Sequence, residues 1–188
     1  NKENLVTFIV NKPIKTICTS NDPKNRPTVL DLLKDLPERV YTIGRLDFMS
    51  EGLILVTNDG ELAHKLSHPK YEISKTYKVT INKQLTSQEL LRVIKGVPNK
   101  GELLKFTNID NGRRTNDGFI YNIILKEGKN RHIRRVMDTI EKKIIRLKRV
   151  SIGPILLKNL KIGDYRVAKP SELKQLRKIY MKKINWLF

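Results

Sequence analysis

Apolar and polar positions along the 188 residues change period several times, and each change marks an element. Residues 5–10 (LVTFIV) are a nearly unbroken apolar run that predicts a strand ending at Asn11-Lys12-Pro13. Thr28 can cap a helix with Val29, Leu32, Leu33 and Leu36 on one face, and Pro37 stops it. Residues 53–56 (LILV) read as a buried strand, followed by a turn at Asn58-Asp59-Gly60. Asn58 and Glu61 have the spacing of a capping box for a short helix over 60–66, which Pro69 closes.

Farther on, Tyr77, Val79 and Ile81 alternate over 76–81 with the period of a half-buried strand. Thr86 and Glu89 form a second capping box, for a helix through Ile94 with Gly96 as its C-terminal cap. Residues 119–125 (FIYNIIL) predict another strand. Asn130 then opens a helix with Ile133, Val136, Met137 and Ile140 on one face and Arg131, Arg134 and Arg135 on the other. Over 144–152 the apolar set changes parity between Leu147 and Val150, which predicts a bulge or bend. A strand near 165–168 and a helix from Ser171, with Leu173, Leu176 and Tyr180 inward, follow. The helices are too few and short for regular βαβ winding. The pattern therefore implies an α+β fold, a mostly antiparallel mixed sheet flanked by helices, in one domain over 1–188 with no separating linker.

Charge sharpens this picture. The chain holds 38 Lys and Arg against 19 Asp and Glu, a formal charge of +19. Residues 1–73 have ten basic and ten acidic side chains, so residues 74–188 carry the whole excess. A charge this lopsided attracts a polyanion by counterion release, and nucleic acid is the expected partner. No apolar run is long enough to span a bilayer and no lipidation motif is present, so no membrane partner is expected. Cys18 is the one cysteine, which excludes a disulfide framework and suits a reducing, cytoplasmic location. The first residue is Asn1 rather than Met, so a targeting segment or another domain ahead of it stays open.

The chemistry-bearing residues gather in a few stretches. Gly44-Arg45-Leu46-Asp47 leads through Ser50 and Gly52 into the buried strand, a plausible mount for a reactive carboxylate. By local chemistry alone, an Asp beside an Arg is more often a surface ion pair. Lys129, Asn130, Arg131 and Arg135 cluster at a helix start, where amides and cations suit a phosphate. His64 and His68 are four apart but lack the Glu of a metalloprotease site and a third ligand, so no metal is expected. Ser50 has no visible His–Asp partners and reads as a structural hydroxyl. A carboxylate-pair glycoside hydrolase lacks a second acid and leaves the charge unexplained.

The segment GRLDFMSEGLILVTNDGELAHKLSHP closely resembles the signature of the RsuA/RluB-type pseudouridine synthases. The resemblance continues in Lys75-Thr76-Tyr77, in EGKNRHIRR over 127–135, in NKPIKTICTSND near the start and in RLKRVSIGPILLKNLKIGDYR near the end. It covers nearly the whole chain in order. His132 stands where the family usually has Gln, and Val136 precedes Met137 where Met often comes first. The small RNA-binding domain that normally precedes the family's catalytic domain is absent from this sequence.

The resemblance implies an enzyme that isomerises a uridine in ribosomal RNA, with a lean towards the large subunit, and that uses no cofactor. Asp47 would be the essential carboxylate, as nucleophile on the ribose or as a base; the residues leave both roles open. Arg134 would pair with it and favour its charged form. Tyr77 would pack on the target uracil and Ile133 would wall the pocket. The uridine would have to be flipped from the RNA, with Arg45 filling the vacated space. Lys75, Lys129, Asn130, Arg131 and Arg135 would contact RNA. The implied partner is ribosomal RNA or a pre-ribosomal particle, met by a monomer. The competing reading is a non-catalytic RNA-binding or ribosome-assembly protein.

Overall fold

The computed structural model describes residues 4–19, 21–33, 35–36 and 39–185. In chain order the elements are β1 (Thr7–Lys12), β2 (Tyr41–Ile43), β3 (Glu51–Thr57), α1 (Gly60–Ser67), β4 (Lys75–Ile81), α2 (Ser87–Lys95), β5 (Val97–Asn99) and β6 (Glu102–Leu104). They continue with β7 (Asn108–Ile109), β8 (Arg113–Arg114), β9 (Phe119–Leu125), α3 (His132–Thr139), β10 (Ile144–Ile152), β11 (Ile155–Leu156), β12 (Tyr165–Val167) and α4 (Pro170–Asn185). The fold is α+β, as the mixed periods imply. The chain divides into two compact units: residues 1–73 with 149–188, and residues 74–148.

In the first unit β1 pairs antiparallel with β12 and with β3, and β3 also pairs with β2. All seven residues of β3 are buried, so it reads as a continuous apolar run rather than an alternation. Ile9, Leu53 and Leu55 pack with Leu62 and Leu66 of α1 and with Leu176 and Tyr180 of α4 in one core cluster. Burying each such aliphatic side chain is worth about 1.5–3 kcal/mol relative to exposure. Glu172 secures the start of α4: its carboxylate accepts from both terminal nitrogens of Arg166 at 2.7 and 2.9 Å and from the Lys169 amide at 2.9 Å. The Arg166 fork, followed by the Lys169 amide, holds the Glu172 carboxyl at about 2, well below its ordinary 4.5. A depressed carboxyl stabilises the fold above its unfolded value and loses that contribution as pH falls towards the folded one. Glu172→Gln is therefore expected to cost about 1–3 kcal/mol at neutral pH, after discounting for solvent screening. It should also flatten the loss of stability between pH 4.5 and about 2. Urea midpoints across that range check this; identical pH profiles for variant and wild type would refute it.

In the second unit β9 pairs antiparallel with β4, β7 and β8, and β5 with β6. Tyr77, Val79 and Ile81 are buried on β4, as their alternation predicts. Both arms of the Thr86–Glu89 capping box form at the start of α2, and Gly96 caps its end. The buried Tyr121 hydroxyl accepts the Leu85 amide at 2.8 Å, tying β9 to the segment ahead of α2.

Four expectations change. The segment after Thr28 is a 3-10 helix, Val29–Leu33, not an α-helix; Pro37 lies outside the described residues. The N-cap of α1 is Asp59, whose side chain accepts the Leu62 amide, whereas Asn58 accepts the Val6 amide and donates to the Asn4 carbonyl. Helix α3 begins at His132, because Arg131 adopts a left-handed conformation at φ 50° ahead of it. Strand β10 runs unbroken over Ile144–Ile152, since Arg149 occupies the interior position that the apolar pattern left vacant. Arg149 Nε donates to the Leu53 carbonyl at 2.8 Å, which makes a charged residue acceptable there.

Candidate active site

The GRLD segment is built around a tight turn in the first unit. The Ser50 amide donates to the Asp47 carbonyl at 2.9 Å, so Asp47 holds the first position of a four-residue turn, where Asp is favoured. The turn leaves Phe48 and Met49 exposed at its corners and Asp47 half-buried, while Leu46 and Ser50 face inward. Arg45 is exposed.

Three contacts from the end of β1 and the chain that follows it grip this turn. The Lys15 amide donates to the Phe48 carbonyl at 2.7 Å. The buried Lys12 ammonium donates to the carbonyls of Ser50 at 2.7 Å and Pro13 at 2.8 Å. The Leu46 amide donates to Cys18 Sγ at 3.4 Å. Burial pushes the Cys18 thiol up, against opposing pulls from the Leu46 amide and the nearby cations Lys12, Arg149 and Arg45. The thiol form is thus the resident one. On the far side, Gly52 sits at φ +106° with the Arg149 backbone where a Cβ would be. Asp47 therefore projects from backbone gripped on both flanks.

The remaining expected site residues belong to the second unit. Lys75 and Tyr77 lie on β4, Lys75 half-buried and Tyr77 buried. Ile133 is buried on α3 and Arg134 is half-buried beside it. Asn130 and Arg131 are exposed in the approach to α3. Lys129 is half-buried, 3.8 Å from Glu102 and 3.9 Å from Glu127. Arg135 is employed inside this unit. It donates to Asn99 Oδ1 at 2.8 Å, to the Asn130 carbonyl at 3.1 Å and to Glu102 at 2.8 Å, fastening the β5–β6 hairpin to α3. The same guanidinium holds the Glu102 carboxyl below its usual range.

His132 is buried next to these residues. Its Nε2 lies 3.0 Å from the Lys105 carbonyl and its Nδ1 accepts the Lys129 amide at 3.4 Å. A carbonyl can only accept, so the neutral tautomer protonated at Nε2 satisfies both bonds. Burial pushes this imidazole down, against an upward pull from the Lys105 bond, in keeping with a neutral ring. Among the described residues no group of His, Cys, Asp and Glu could hold a metal ion.

Sequence reading missed Lys12, Cys18 and the pair Asp22–Arg26. The Asp22 side chain is 4 % exposed and accepts the Arg26 amide at 2.7 Å, Nε at 3.1 Å and a terminal nitrogen at 3.0 Å. Opposite charges four residues apart were the available signal.

A model of the RNA pseudouridylate synthase family matches residues 6–139, a span that includes the GRLD turn, Tyr77 and all of α3. The chain belongs to that family of enzymes, and to its RsuA/RluB type. It is 40% identical over 185 residues to the ribosomal large subunit pseudouridine synthase B of Bacillus subtilis, covering 94% of this chain and 73% of that protein. The Pseudomonas aeruginosa protein of the same name is 38% identical over 170 residues, which are 88% of this chain and 44% of that longer relative. A crystal structure of a pseudouridylate synthase superposes with a TM-score of 0.81 at 28% identity, over 93% of this chain and 74% of that one.

Proposed function

We propose that the chain isomerises a specific uridine of large-subunit ribosomal RNA, with Asp47 as the essential carboxylate. The observation that carries this reading is the turn that projects Asp47 from firmly held backbone in a chain of this family. The names of the relatives support the large subunit as the source of the substrate. In the reaction the bond from the ribose to the uracil nitrogen breaks and the base turns. A ribose–carbon bond then forms, and the proton on that carbon leaves as the nitrogen gains one. Atoms and electrons balance without an external reagent.

Each remaining residue is assigned a task on the substrate. Tyr77 packs on the flipped uracil, Ile133 supplies an apolar wall, and Arg134 supports the Asp47 carboxylate. Arg45, exposed two residues before Asp47, fills the space the uridine leaves. Lys75, Lys129, Asn130 and Arg131 bind phosphates or sugars. The four hydrogen bonds from Arg135 to Asn99, Asn130 and Glu102 support a positioning task for it, through α3 and the β5–β6 hairpin, rather than direct contact. The second unit holds 18 basic and seven acidic side chains, a balance suited to a polyanion. We further assign a monomer working in the cytoplasm on ribosomal RNA or a pre-ribosomal particle; among the described residues no helix is long and apolar enough to cross a membrane.

The test is a map of pseudouridine in ribosomal RNA from cells with and without the gene. One large-subunit position is expected to revert to uridine in its absence and to be restored by the wild-type gene. An unchanged map would instead favour a non-catalytic RNA-binding protein.

A further inference from the structure

The turn that carries Asp47 also presents an aromatic ring to solvent. Phe48 is 38% exposed and Met49 46%, at the two corners of the turn. Ile14, 44% exposed, adjoins Lys15, whose amide binds the Phe48 carbonyl. The Arg26 guanidinium lies over the Phe48 ring, 5.8 Å from its centroid. That guanidinium does not wander. Asp22 grips it through both carboxylate oxygens, and the Arg26 hydrogen bond is the main reason the Asp22 carboxyl falls to about 2. Arg26 still leaves 44% of its side chain exposed.

An exposed ring with a fixed planar cation on it is poorly suited to a surface that meets only water. It suits a nucleobase, because every base offers a π-face to an aromatic or guanidinium plane. The cations nearest in sequence and contact, Lys15, Arg26 and Arg45, complement the phosphates flanking such a base. We propose that Phe48, steadied by the Asp22–Arg26 pair, stacks on an unpaired RNA base next to the target uridine. The inference rests on the reading of Asp47 as the carboxylate that meets that uridine. It assigns the adjacent turn residue a part in substrate selection, since an unpaired base must be available beside the uridine.

The probe is a short single-stranded oligoadenylate, compared at fixed salt with the same ribose-phosphate chain lacking its bases. Wild type is expected to bind the oligoadenylate more tightly. Phe48→Leu, which keeps apolar bulk but removes the ring, should weaken oligoadenylate binding at least about fivefold and leave binding of the base-free chain unaltered. Phe48→Trp should restore it. Equal affinity of Phe48→Leu and wild type for oligoadenylate, or equal losses on both probes, would overturn the proposal. A wild-type dimer in sedimentation that Phe48→Leu dissolves would assign the ring to self-association and also overturn it. Pseudouridine formation by wild type on a large-subunit RNA transcript is followed separately. Its absence counts against the proposed reaction, while the base-dependent difference in binding is read independently.

Discussion

Asp47→Asn is expected to lower pseudouridine formation by roughly 10²–10⁴-fold or more in a protein that still folds. Asparagine matches aspartate in size and is equally favoured at the first position of such a turn, so the backbone bond from Ser50 is retained. What disappears is the anionic oxygen, and both open roles need it. A nucleophile must form an ester with the ribose, and a base must take a proton from it; a carboxamide does neither. Asp47→Glu should fail as well, because a gripped turn cannot retract to accommodate an added methylene. The measurement is tritium release from labelled uridine in a large-subunit transcript, with thermal melts as the control for folding. Activity of Asp47→Asn within threefold (about 0.7 kcal/mol) of wild type would remove Asp47 from the mechanism.

Gly52→Ala is expected to be the most damaging single-atom addition near the site, at about 2–5 kcal/mol. At φ +106° an L-residue is strained whatever the space, and here there is none. The new Cβ would meet the carbonyl oxygen, nitrogen and carbonyl carbon of Arg149. Those are backbone atoms of a neighbouring strand and have no rotamer to escape into. Gly52 also pairs with Lys12, whose ammonium holds the Ser50 carbonyl, so displaced backbone would loosen the grip on the Asp47 turn. Against a typical total of about 5–15 kcal/mol, the loss should shift the urea midpoint markedly. A change below about 0.5 kcal/mol would mean that β3 can shift away from Arg149 without cost.

Elements governed by local chemistry were legible in the sequence. Thr86, Glu89 and Gly96 specify α2 within ten residues, and the alternation of Tyr77, Val79 and Ile81 specifies β4. Errors arose where a distant partner decides. Asn58 looks like a cap, but the Val6 amide, 52 residues away, claims its oxygen. The parity change in β10 looks like a bend only if charged residues are kept outside, and the Leu53 carbonyl brings Arg149 in. The two-unit division had no linker to announce it, because its boundaries fall at Ile73–Ser74 and within β10. The candidate carboxylate was legible through motif resemblance alone. Its grip by Lys12, Lys15 and Cys18 spans 28–38 residues in all three contacts, beyond the reach of periodicity.

The interrupted first unit also imposes an order on synthesis. Residues 74–148 emerge as one continuous stretch that contains every strand and helix of their unit, and β10 alone runs on past it into the first unit. The apolar face formed by Ile9, Leu53 and Leu55 must wait for Leu176 and Tyr180. At about 5–20 residues per second that delay is roughly 6–25 s, during which β1 and β3 have no α4 to cover them. A ribosome stalled before α4 should therefore carry a protease-resistant second unit and a first unit that chaperones bind.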